Sequence, residues 1–347
     1  MSIENCPSGA VLASVLQQKA GALMTEWSKY VQNPAFLEAT RMVMFDPDTR
    51  DVLIKWTGIK SGMRVLDVGC GTGALTFFLA EGVSGCEFVG LDIDEHFIAI
   101  ANEKKEEYAK GGNSFTFVTG DALKLPFENA SFDAVVSHTF LTNVPDPHSA
   151  LREMMRVGRT LSPVTSITAQ SFEFIPAHPG FYEKDHLEYY EEWAELFIKL
   201  YAAYEEVLPK KDYLLGCHPV LVPKLFSEAG MWDIRMHSLG KSCSTSNAAM
   251  EDADKRRYLE LLYEAELEKL DAFYELEAFR EKITHKEADR FRELMKLRND
   301  LLLAECGENA VWEWYGGASL VMTGLVPPTL RTLLRMTGKD REISKQD

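Results

Sequence analysis

Val65-Leu66-Asp67-Val68-Gly69-Cys70-Gly71-Thr72-Gly73 reads as a short apolar strand that runs straight into a turn with glycine at every second position. Without Cβ atoms at Gly69, Gly71 and Gly73, a ligand can lie against the backbone. The helix expected next, Ala74 to Glu81, aims its unpaired N–H groups at that ligand. Asp67, just ahead of the turn, repels a pyrophosphate but attracts the cationic amino group of an amino acid. The spacing Gly69-x-Gly71-x-Gly73 is also not the G-x-G-x-x-G of dinucleotide binders, which ranks a nicotinamide dehydrogenase far down. A tight strand-to-helix turn that binds nothing is the plain alternative, and acidic residues further along the chain weigh against it.

Outward from this turn, strand and helix alternate. Glu87 to Asp92 is a strand, and Glu95 to Lys110 is a helix stopped by Gly111-Gly112. Phe115 to Thr119 and Phe132 to Ser137 are strands, Ser149 to Val157 is a helix and Val164 to Gln170 a strand. Val220 to Ala229 reads as a helix ended by Gly230, Trp232 to His237 as a strand, and Ala318 to Val326 as a last strand stopped by Pro327-Pro328. Such alternation implies the α/β class, with a parallel sheet covered by helices on both faces. Ligands of these sheets bind outside the carboxyl ends of the strands. Asp92, ending the second strand, is placed to accept from both hydroxyls of a ribose. Asp121, in Gly120-Asp121-Ala122 after the third strand, is placed to accept from an adenine amino group, with Ile93 and Ala122 sandwiching the ring. The fourth strand ends Ser137-His138-Thr139, which brings His138 to the same edge.

Asp67-x-Gly69-x-Gly71-x-Gly73, Asp92, Gly120-Asp121-Ala122-x-x-Leu125-Pro126-Phe127 and Phe132-Asp133 together resemble the motif series of class I S-adenosylmethionine-dependent methyltransferases. The likeness is closest to the ubiquinone/menaquinone-biosynthesis group that acts on small molecules, and it covers roughly residues 55–172. It implies a Rossmann-like seven-stranded methyltransferase sheet whose last strand is antiparallel, and S-adenosyl-L-methionine as cofactor. Carried over by position, Gly69, Gly71 and Gly73 line the methionine and ribose, Asp67 faces the amino group, Asp92 holds the ribose and Asp121 meets the adenine. His138 and Thr139 then lie near the methyl group, and Tyr30 and Arg41 close over the cofactor carboxylate. One departure is the segment Arg156-Val157-Gly158-Arg159-Thr160-Leu161-Ser162-Pro163, where the group carries a Pro-Gly-Gly turn.

The remaining sequence is helical. Residues 8–31 and Pro34 to Met44 read as helices, and Asp48 is a cap for a third that runs to about Trp56. Asp185 to Leu208 reads as one long helix, with Asp185 and Glu188 as a capping box. Its stripe Tyr190, Trp193, Phe197, Tyr201, Tyr204 either roofs an apolar substrate pocket or packs on the sheet. Asp252 to Ile283 and a helix opened by Thr284-x-x-Glu287 read as an antiparallel hairpin, serving as dimer interface, substrate lid or solvated decoration. The expected division is an N-terminal helical cap (1–48), a methyltransferase core (49–172, 218–240 and 310–330), a helical substrate cap (173–217), a hairpin insertion (247–308) and a tail (331–347).

A formal net charge of −16 disfavours a phosphate backbone, so nucleic acid is not an expected partner. No stretch approaches the length of a bilayer span, and no basic residue precedes the apolar run Gly9 to Leu16, so neither membrane association nor a signal peptide is expected. Cys6, Cys70, Cys86, Cys217, Cys243 and Cys306 form no C-x-x-C pair, which fits a reducing, cytoplasmic setting. His178, His186 and His218 match no metal-ligand spacing, so no metal is expected. The expected reaction is direct methyl transfer to an O-, N-, S- or C-nucleophile of a small molecule, with His138 as the candidate base if the acceptor must lose a proton. The competing expectations are cyclisation, decarboxylation or isomerisation on the same cofactor-binding fold, and a non-catalytic cofactor-binding subunit whose hairpin docks a partner.

Overall fold

The computed structural model describes residues 26–170, 188–208, 218–244, 250–306 and 314–328. Its strands are β1 (Arg64–Val68), β2 (Glu87–Asp92), β3 (Ser114–Thr119), β4 (Ala134–His138), β5 (Pro163–Gln170), β6 (Trp232–Ser244) and β7 (Trp314–Leu325). They form one sheet in the order β3-β2-β1-β4-β5-β7-β6. β1 to β5 pair in parallel, while β7 runs antiparallel to both β5 and β6. This is the seven-stranded sheet with an antiparallel last strand that the motif series implied. The strand order reverses at β1, which lies between β2 and β4, so the crevice for a ligand opens above the carboxyl ends of β1 and β4.

The helices are α1 (Trp27–Tyr30), α2 (Pro34–Met44), α3 (Arg50–Thr57), α4 (Ala74–Ala80), α5 (Glu95–Tyr108), α6 (Pro147–Val157), α7 (Tyr190–Val207), α8 (Val222–Glu228), α9 (Asp252–Tyr274), α10 (Glu277–Arg280) and α11 (His285–Glu305). Alternate strand residues feed two cores. On one face Leu66, Val68, Leu91 and Val135 meet Leu151 and Met154 of α6 and Phe226 of α8. On the other, Val65, Phe88, Val136 and Ile167 meet Leu53 of α3 and Leu75 and Phe78 of α4. Each such side chain withdrawn from water stabilises the fold by roughly 1.5–3 kcal/mol.

A third core is entirely helical. Trp193, Leu200 and Tyr204 of α7 pack with Leu270 and Phe273 of α9, Phe279 of α10, and Phe291 and Leu294 of α11. The aromatic stripe therefore packs against the hairpin rather than on the sheet. The first hairpin helix ends at Tyr274 instead of continuing to Ile283. The break lets Phe279 fold inward, where its ring stacks on Tyr204 with centroids 5.1 Å apart. α11 opens with the expected capping box between Thr284 and Glu287. α7 begins at Tyr190 without a side-chain cap, and Asp185 lies outside the described residues, as do most of the N-terminal helix expected over 8–31 and the tail from 331.

Other boundaries differ for local reasons. Asp46, not Asp48, makes the side-chain cap ahead of α3, accepting from the Asp48 N–H at 2.9 Å. Phe132 makes only an isolated bridge to Gly158, so β4 starts at Ala134. β6 runs well past His237 because it pairs with β7 as far as Ser244, beyond the end of its apolar pattern. Among the described residues no helix is long and apolar enough to cross a membrane.

α2 joins the helical layer to the sheet. Asn33 caps it, accepting from the Phe36 N–H at 2.9 Å, and Pro34 follows at its first turn. The same Asn33 donates from Nδ2 to the Ala265 carbonyl of α9 at 2.8 Å. Ala35 and Ala39 of α2 pack with Leu261 and Ala265 of α9, small residues that let the two helices approach closely.

Candidate active site

The glycine turn is left-handed at all three positions, with φ +71° at Gly69, +53° at Gly71 and +82° at Gly73. That backbone alone selects glycine. The space in front of each glycine differs. A Cβ at Gly69 would lie 2.6 Å from Phe140, and one at Gly73 2.8 Å from Phe77. Gly71 alone faces a gap, its nearest neighbour being Leu37 Cδ1 of α2 at 3.7 Å. Two of the three glycines thus admit the protein's own rings, and Gly71 is the one that leaves room for a ligand.

Below the turn, Asp67 is 1% exposed. Its Oδ2 accepts from the Thr76 hydroxyl at 2.7 Å, while its Oδ1 is buried and has no hydrogen-bond partner. Burial pushes the Asp67 carboxyl up to about 7, with the nearby Asp92 charge adding to the rise; the Thr76 hydroxyl and the Arg41 guanidinium oppose it. Leaving a buried carboxylate oxygen unsatisfied is costly, so the position favours a cation or a donor beside it. Asp92 caps the turn from β2: Oδ2 accepts from the Gly71 N–H at 2.8 Å and Oδ1 from the Asp94 N–H at 3.0 Å. Burial lifts this carboxyl to about 6 against those two N–H groups. Each oxygen keeps one lone pair for a further donor.

Asp94 ties a third segment in. It caps α5 by accepting from the His96 and Phe97 N–H groups with Oδ1, and its Oδ2 accepts from the Ser28 N–H at 2.7 Å. The chain around α1 is thereby strapped beside the end of β2. A cavity of about 940 Å³ opens there, lined by Ile93 and Asp94, by Ser28 and Asn33, and by Glu268 and Ala272 of α9. Ala122 is buried, and Asp121 is exposed and accepts from the Leu123 N–H at 2.8 Å.

At the end of β4, His138 is 6% exposed and its ring lies 5.2 Å from that of Phe45. Thr139 is left-handed, with φ +52°. Its hydroxyl accepts from Arg41 Nη2 of α2 at 3.5 Å. The fold thus gathers Asp67, the three glycines, Asp92, His138, Thr139 and Arg41 at one crevice, with Ile93 at its rim. Tyr30 stands apart, its ring edge-on to Phe273 of α9 at 5.8 Å. Sequence reasoning missed Thr76, Phe140, Leu37 and Ser28. Thr76 follows Asp67 by nine residues and carries no motif, and the other three arrive from distant parts of the chain.

Several known proteins are similar to this chain. A methyltransferase-domain family model matches residues 59–194. A demethylmenaquinone methyltransferase of Bacillus pumilus is 31% identical over 190 residues, spanning 54% of this chain and 79% of that protein. One of Staphylococcus aureus is 29% identical over 219 residues, spanning 60% and 84%. Among solved structures, phosphoethanolamine N-methyltransferase 2 of Haemonchus contortus, in complex with S-adenosyl-L-methionine, is 15% identical with a TM-score of 0.47, over 88% of this chain and 60% of that one.

Proposed function

Because the chain belongs to the class I S-adenosylmethionine-dependent methyltransferases of the menaquinone-biosynthesis type, we propose that it methylates a ring carbon or oxygen of a phenolic or quinol-like small molecule in the crevice above β1 and β4. The observation that carries the assignment is the unsatisfied, buried Oδ1 of Asp67 beside a turn that leaves space only at Gly71. An ammonium group satisfies that oxygen, and the residues around it fit S-adenosylmethionine.

In this reading Asp67 takes the amino group, and Gly71 borders the methionine and ribose while Gly69 and Gly73 shape the turn. Asp92 accepts from the ribose hydroxyls with its remaining lone pairs. Ile93 and Ala122 flank the adenine, and Asp121 faces its amino group. Arg41 pairs with the methionine carboxylate from α2, while Tyr30, packed on Phe273, takes no part. Bound S-adenosylmethionine supplies an activated methyl group and leaves as S-adenosylhomocysteine. The protein's share is to align the acceptor and keep water out, which is worth much of the rate when donor and acceptor are held in line. His138, at the carboxyl end of β4 with Thr139, takes the proton that a phenol or ring carbon gives up.

The phenolic acceptor class is supported by the relatives' printed name, which places their reaction on demethylmenaquinone. The test is transfer of labelled methyl from S-adenosylmethionine to a panel of naphthoquinols, catechols and amines. Labelled quinol or catechol is expected, with His138→Ala lowering kcat about 100-fold while the cofactor Kd stays within about twofold. Label on amines alone would overturn the acceptor class.

A further inference from the structure

Phe140 follows the strained end of β4. A left-handed φ at the β-branched Thr139 is unfavourable and persists only where its surroundings hold it. Here the Thr139 N–H donates to the Ile167 carbonyl at 2.7 Å, and its carbonyl accepts from Asn143 Nδ2 at 2.5 Å. The kink turns the following side chain back over β1. A Cβ at Gly69 would meet Phe140 Cδ2 at 2.6 Å and Cγ at 3.0 Å, so the ring rests on the first glycine of the turn. Yet Phe140 is only half-buried. A partly open ring thus lies against the glycine turn that follows Asp67, and directly follows in the chain the His138–Thr139 pair expected near the methyl group.

Charges of both signs border this point: the Arg41 guanidinium lies 3.5 Å from the Thr139 hydroxyl, and carboxyls supply the negative side. Asp67, buried just ahead of the turn, and Asp92, half-buried and accepting from the Gly71 N–H, both border the turn that holds Gly69. An aromatic face adds a negative quadrupole, attractive to a cation within about 6 Å of its centroid. A sulfonium is such a cation, and the thioether left after methyl transfer is neutral.

We propose that the Phe140 ring recognises the sulfonium by cation–π attraction, so that the crevice holds S-adenosylmethionine more tightly than S-adenosylhomocysteine and lets the spent product go. The inference rests on the cofactor reading above. Phe140 is a recognition residue in this account, with no proton to move.

The test is the ratio of the Kd values for S-adenosylhomocysteine and S-adenosylmethionine, measured by calorimetry on the full chain. Phe140→Leu keeps an apolar side chain and removes the π face; the ratio is expected to fall about three- to tenfold. Phe140→Tyr is expected to keep the wild-type ratio. Incorporation of 4-fluoro- and 3,4,5-trifluorophenylalanine at position 140 preserves the shape and weakens the face, so the ratio is expected to fall in that order. Should Phe140→Leu not fold, the fluorinated series decides. Equal losses for both ligands, or a ratio unmoved by fluorination, would overturn the sulfonium role and leave the cofactor reading standing. A wild-type protein that binds neither ligand would overturn both.

Discussion

Asp67 shows how a single buried carboxyl carries information about a ligand. Its folded-state pKa of about 7, and that of about 6 for Asp92, both lie above the ordinary carboxylate value because burial disfavours the charge. The sign follows directly. Without ligand, folding favours the protonated forms, so their contribution to stability is complete below about pH 4 and is lost as the pH rises through 6 and 7. A bound ammonium reverses the preference, since it is attracted only to the anion. The affinity for S-adenosylmethionine should therefore rise between pH 5 and 8, with proton release on binding in the lower half of that range. Asp67→Asn should flatten the profile and weaken binding about tenfold or more at pH 8; titrations at several pH values check this, and a flat wild-type profile would contradict it. These carboxylates were legible in the sequence because each sits at a strand end defined by its own neighbours. Phe140 was not, since its position depends on a left-handed Thr139 and a contact 71 residues away, neither of which leaves a local pattern.

Among the elements, α2 carries the coupling between the insertion and the crevice. Asn33 acts twice, capping α2 with its oxygen and reaching the Ala265 carbonyl with its nitrogen. Asn33→Ala should lower stability by about 1–3 kcal/mol, the sum of a lost cap and a lost interhelix hydrogen bond. Asn33→Ser keeps a capping hydroxyl but is too short to reach the Ala265 carbonyl, and should fall in between. Urea unfolding of the three proteins checks the order; an alanine variant as stable as wild type would contradict the bridging role. The strands near the glycine turn could be read from sequence because apolar runs and glycine stops are local signals. The ends of α9 and β6 could not. Phe279 leaves the helical path for a partner on α7, and β6 is prolonged by the ladder it shares with β7.

At the scale of the molecule, the sheet and the helical layer meet through α1, α2 and α9 beside the crevice. The Ser28–Asp94 bond and the packing of α2 on α9 link cofactor loop, strap and hairpin into one connected path. A ligand that orders the turn should then order that path as well. Hydrogen exchange with and without S-adenosylmethionine is expected to show slower exchange at 28–45 and within α9 as well as at 67–73; protection confined to the turn would contradict the coupling. The hairpin's place between β6 and β7 was legible, because its charge pattern and capping box stand out. Its packing on α2 and α7 was not, because partner choice among amphipathic helices is decided by shape.

The most direct measurement is a calorimetric titration of S-adenosylmethionine into the intact protein and into Asp92→Ala. The account predicts one site of about micromolar affinity in the wild type, weakened at least about tenfold by the substitution, which removes a charged acceptor from both the turn and the ribose. No heat of binding in the wild type, or equal affinity in the two proteins, would contradict it.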